Sequence, residues 1–173
     1  MIKRILILCF FFVSLANFSV KAEEYDFRKT RWGMTPEEVQ INELSKIVKI
    51  ENDELIYFVE MLGKKCFLKY EFKKNKLISG VYLFDNISKK ERNIIYDSIV
   101  TSLNGKYQEE YDENPFKKSI RIFKNKNTYI TVVNTDELGV IYEEKKSYEE
   151  HKLLLKNKRE KEIDDYQKDL DSL

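Results

Sequence analysis

The chain holds one histidine, one tryptophan, two prolines, two cysteines and five glycines in 173 residues. Each scarcity removes a class of chemistry. His151 is the sole histidine and sits among charges near the C-terminus, so a Ser–His–Asp or Cys–His site has no base placed near a nucleophile. Zinc sites need several Cys and His at short spacing, whereas Cys9, Cys66 and His151 lie far apart. The glycines at 33, 63, 80, 105 and 139 are isolated, which leaves no Gly-rich phosphate loop. Asp164-Asp165 and Asp169-Leu170-Asp171 lack the loop glycine of an EF-hand. No catalytic, cofactor-binding or metal-ligating residue is assigned from sequence, and no cofactor is expected.

One-signed charge is missing too. Lys and Arg number 31 against 30 Asp and Glu, for a formal net charge of +1. Without clustered basic charge there is no electrostatic footprint for nucleic acid. Long apolar runs are also absent: Ile5 to Val13 is uninterrupted but short, and a spanning helix needs about 20 apolar residues.

What stands at the N-terminus is a basic start, Lys3-Arg4, then that short apolar run, then Ser14 to Ala22 ending in Val20-Lys21-Ala22. These are the three parts of a secretory signal peptide, with cleavage expected after Ala22. Removing residues 1–22 takes away Lys3, Arg4 and Lys21 and turns the net charge to −2. The mature protein is then expected outside the cytoplasm, in the periplasm of a Gram-negative bacterium or beyond the cell, with no stable transmembrane anchor. Cys9 has almost no apolar run before it, so a lipoprotein is not expected. Cys66 becomes the sole thiol, which excludes an intramolecular disulfide. It reads first as a small buried hydrophobe on a strand, and second as an intermolecular or reactive thiol.

Local signals define a domain over 23–144. Thr35-Pro36-Glu37-Glu38 is a helix opening: hydroxyl cap, proline at the first position, glutamate three residues on. A short helix to about Leu44 is expected. The period then becomes two: Ile47–Ile50, Leu55–Leu62, Cys66–Phe72 and Leu77–Phe84 read as strands in an antiparallel meander, with Gly80 a candidate bulge. Ser88-Lys89-Lys90-Glu91 opens a second, longer helix with Ile94, Ile95, Ile99, Val100 and Leu103 at helical spacing, ended by Asn104-Gly105. Three further strands are expected at Ser119–Phe123, Thr128–Val133 and Val140–Tyr142. The fold class is therefore α+β: an antiparallel sheet with helices on one face, helix-then-strands occurring twice, followed by a charged C-terminal helix over 145–173. That tail carries a sparse apolar stripe of Tyr148, Leu155, Ile163, Tyr166 and Leu170. It reads as a solvated helix on the domain edge, or as one that pairs with itself or a partner; sustained heptads for a stable coiled coil are lacking.

Two groups of side chains are candidates for function. Tyr57, Phe58, Phe67, Tyr70, Phe72, Tyr82 and Phe84 fall on adjacent strands, and any left on an uncovered face would suit protein or glycan contact. Trp32 reads first as a cap packed over the sheet end, and second as a contact residue. The acidic residues could supply a carboxylate pair, which a hydrolase would need across a cleft with one pKa raised.

The string Gly33-Met34-Thr35-Pro36-Glu37-Glu38-Val39 resembles the Gly-Met-[Ser/Thr]-x-x-[Glu/Gln]-Val helix opening of small bacterial envelope proteins, including the SmpA/OmlA outer-membrane lipoproteins and β-lactamase-inhibitor-like modules. The wider Phe27-Arg28 to Trp32-Gly33-Met34 string is similar to exported proteins that begin this way after their signal peptide. The resemblance implies helix-then-antiparallel-sheet modules that bind proteins in the envelope. This chain has no lipid-bearing cysteine, and Leu44-Ser45-Lys46 stands where those families have Leu-Gly-x-Pro, so no functional residue is carried over. The expected function is a non-enzymatic interaction module whose partner is another envelope protein. The alternatives are a small envelope hydrolase using paired carboxylates and a carrier of a small apolar ligand.

Overall fold

The computed structural model describes residues 25–110 and 119–171; the signal-peptide reading of 1–22 lies outside them. The first helix, α1 (Pro36–Asn42), starts as its sequence dictates. Thr35 accepts from the Glu38 amide, Glu38 accepts from the Thr35 amide at 2.8 Å, and Pro36 occupies the first position. It ends two residues before Leu44. Four strands follow: β1 (Lys46–Glu51), β2 (Glu54–Met61), β3 (Lys64–Lys73) and β4 (Lys76–Phe84). The β2–β3 and β3–β4 turns hold Leu62-Gly63 and Lys74-Asn75, all at positive φ. That geometry matches the twist of a two-residue hairpin.

The second unit repeats the order. Helix α2 (Lys89–Asn104) opens with the Ser88–Glu91 capping box and buries Ile95, Tyr96, Ile99, Val100 and Leu103. Strands β5 (Gln108–Glu110), β6 (Ile120–Lys124), β7 (Thr128–Asn134) and β8 (Leu138–Glu144) follow, then helix α3 (Lys145–Asp171). β5 is the one strand that sequence did not signal; three charged or polar residues carry no alternation.

Among the described residues the eight strands form one sheet in the order β1-β2-β3-β4-β8-β7-β6-β5, every pair antiparallel. Each meander therefore joins the other through its fourth strand. Register fixes one buried face. Leu55 and Tyr57 of β2 stand opposite Tyr70 and Leu68 of β3; these meet Gly80 and Tyr82 of β4, which meet Tyr142 and Val140 of β8. Val39 of α1 and the buried residues of α2 complete a single core on that side.

Gly80 is not a bulge. It pairs regularly with Tyr70 and Tyr142, and the register shifts fall instead at Ile47/Lys49 and Glu71/Phe72. The glycine is there because the Phe27 ring lies against it, where any Cβ would collide with the ring. Phe27 in turn touches Tyr70 and Tyr82 edge-on and Tyr142 at 4.8 Å between ring centres. Trp32 packs onto this cluster and donates its indole N–H to Thr128 Oγ1 at 3.0 Å, tying the lead-in segment to β7.

Candidate interaction surface

Because side chains alternate along a strand, the remaining residues share the opposite face. One cross-strand row runs Phe58, Phe67, Leu83, Gly139, Val133, Ile120. The next runs Ile56, Lys69, Val81, Ile141, Thr131, Ile122. Six strands at their ordinary spacing make these rows about 24 Å long; Ile122 at the far end is buried, so the open apolar part lies over β2, β3, β4 and β8. Phe58 is 43% and Leu83 37% exposed. The seven aromatics of the first meander thus divide. Tyr57, Tyr70, Phe72, Tyr82 and Phe84 are buried on the helix side, while Phe58 and Phe67 stand on the open side with ring centres 5.5 Å apart.

Charge frames this strip. Lys65 lies over the Phe58 ring at 6.0 Å. Lys69 crosses the strip and bonds Glu54 Oε1 at 3.1 Å and also Glu71, which neutralises a cation otherwise stranded among apolar neighbours. A third row, Glu54, Glu71, Ser79, Glu143, Tyr129, Lys124, closes one end. There α3 begins: Tyr148 stacks on Tyr129 at 4.0 Å, His151 Nδ1 lies 3.8 Å from Glu143, and Lys73 bonds Glu150 at 2.9 Å. Burial pushes the Glu143 carboxyl above its usual range; His151 opposes this and Glu71 adds to it. From Glu149 to Asp165 every residue of α3 is exposed, so the helix leaves the sheet after its first turn or two. His151 is accordingly a surface residue of that helix.

The helix side holds a second polar arrangement. Arg28, at φ 53°, donates through Nε to Glu43 Oε2 at 2.7 Å, through Nη2 to Glu43 Oε1 at 3.2 Å and through Nη1 to Tyr82 Oη at 3.1 Å. Tyr70 donates to the same carboxylate at 2.7 Å. Burial pushes Glu43 up, but hydrogen bonds from Ser45, Tyr70 and Arg28 outweigh it and hold the carboxyl below its ordinary value. A carboxylate kept ionised in this way is the opposite of a general acid. Cys66 is buried nearby, its thiol pushed up to about 11 by burial against the pull of Arg28. A thiol in that state is neither nucleophilic nor open to a partner.

Hollows among the described residues include four that lie between these features. One of about 310 Å³ has an aromatic lining that includes Tyr25, Tyr82, Tyr107 and Tyr142, at the lower size limit for ligand pockets. One of about 450 Å³ lies beside Arg28 and Glu43. The others border Trp32 with Glu149, and the β3–β4 turn with Glu150. Glu143, the carboxylate with the raised pKa, lines none of these four. Among the described residues no group of three or more His, Cys, Asp or Glu is placed to hold a metal ion, and no helix is long and apolar enough to cross a membrane.

Comparison with known proteins finds no matching family model, no matching curated protein and no matching solved structure.

Proposed function

We propose that this protein is a non-enzymatic interaction module that binds another protein of the cell envelope through the open face of its sheet. The observation that carries the reading is the double row centred on Phe58, Phe67, Leu83, Val81 and Ile141, left uncovered among the described residues. An apolar strip of this extent, rimmed by charge, has the make-up of a binding patch: apolar and aromatic at the centre, polar at the edge. The basic start and apolar run of residues 1–13 support export, and the resemblance of the Gly33–Val39 opening to envelope modules points the same way. A carrier reading rests on the aromatic hollow at Tyr82, Tyr107 and Tyr142.

The test is affinity capture from native envelope extract with the wild type and with Phe58→Lys/Leu83→Lys. Both positions are exposed, so the variant is expected to keep its fold and its circular dichroism while losing the captured protein. Capture of the same protein by the folded variant would place the contact elsewhere.

A further inference from the structure

The projecting helix α3 carries a charge pattern that is complementary to itself when reversed. Residues 145–161 hold seven Lys or Arg against three Glu, whereas 162–171 hold one Lys against five acidic residues. A helix that is exposed from Glu149 to Asp165 gains little from propensity, since most helix stability in proteins comes from a buried face. Yet Leu155 and Ile163 remain 57% and 56% exposed, each four residues from Arg159. At 100° per residue both lie within about 40° of the direction of Arg159. Lys156 and Lys158 precede that centre by three and one residues; Glu160 and Glu162 follow it by one and three. The arrangement is symmetric in position and opposite in sign.

We infer that α3 pairs antiparallel with α3 of a second copy of this chain, about a two-fold axis at Arg159. In that register Leu155 of each helix is level with Ile163 of the other. Lys156 lies beside Glu160 of the copy on one flank, and Lys158 beside Glu162 of the copy on the other. Within one chain these four groups make only long contacts, Lys156–Glu160 at 3.8 Å and Lys158–Glu162 at 4.0 Å, and they remain available across the seam. The Arg159–Arg159 approach at the axis is flanked by Glu160 of both helices. Leu155 and Ile163 lie about 40° to opposite sides of Arg159, so the apolar contact straddles the axis. A parallel arrangement would set the basic half on the basic half. The seam is short, which sets association in the range of roughly 10–100 µM.

Sedimentation analysis of the purified protein is expected to show its mass doubling across that range. Lys156→Glu/Lys158→Glu and Glu160→Lys/Glu162→Lys should each be monomeric alone, and should form a heterodimer when mixed, because every flank pair becomes opposite in sign. The mixture separates lost pairing from a melted helix, since only restoration between chains rescues it. Mixed Leu155→Cys and Ile163→Cys chains should cross-link under oxidation. A wild type monomeric at several hundred micromolar, a mixture that stays monomeric, or cross-linking of Leu155→Cys alone would each overturn the pairing.

Discussion

At the residue scale, the position most tightly constrained by its surroundings is Gly80. A side chain there must displace the Phe27 ring, itself held by three tyrosines. Gly80→Ala is expected to cost about 2–3 kcal/mol and Phe27→Ala about 3–5 kcal/mol. Combined, the two should cost less than their sum, because removing the ring removes the collision. Denaturant unfolding of the four proteins checks this, and strict additivity would contradict it. Glu43 gives a second prediction. Its folded-state pKa is depressed, so its ion pair contributes fully above the ordinary glutamate value of about 4.3 and is lost as pH falls through the lower folded value. Glu43→Gln should cost about 2–3 kcal/mol at neutral pH, below the full value of a buried pair because Arg28 keeps a third of its side chain in water. The Tm gap between variant and wild type should narrow as pH drops below about 4. A constant gap down to pH 3 would remove the charge from the explanation.

At the element scale, both helix starts were legible because capping is local: Thr35–Glu38 and Ser88–Glu91 need only three-residue spacing, and both capping boxes form. The long strands were legible through alternation. β5 was not, because it is held by pairing with β6 and not by a pattern of its own. The purpose of Gly80 was equally hidden, since Phe27 reaches it from 53 residues away. Nor could alternation say which face of the sheet the helices cover, so Phe58 and Phe67 could not be told from Tyr57 and Tyr70 until register was known. The helix α3 was expected on the domain edge or paired with itself or a partner; the described contacts anchor it through its first turns. Tyr148→Ala should release that anchor at a cost of about 1 kcal/mol and raise hydrogen exchange in residues 145–152. Unchanged exchange there would mean that the Lys73–Glu150 and His151–Glu143 contacts suffice.

At the scale of the whole molecule, the two helix-plus-meander units place α1 and α2 on one side of a single sheet and leave the other side to α3 at one end and to nothing described beyond it. That asymmetry is the basis of the functional account. A sheet of eight strands with one covered face must either present polar residues on the other or meet something there; here the central rows are apolar. The measurement that tests this most directly is site-specific photo-crosslinking in native envelope extract. A photoreactive residue replaces Phe58 or Leu83 on the open face, with Lys89 at the start of α2 as the control on the helix side. One discrete adduct shared by positions 58 and 83, and none at 89, is expected. Adducts of equal yield at all three positions, or none at 58 and 83, would contradict it.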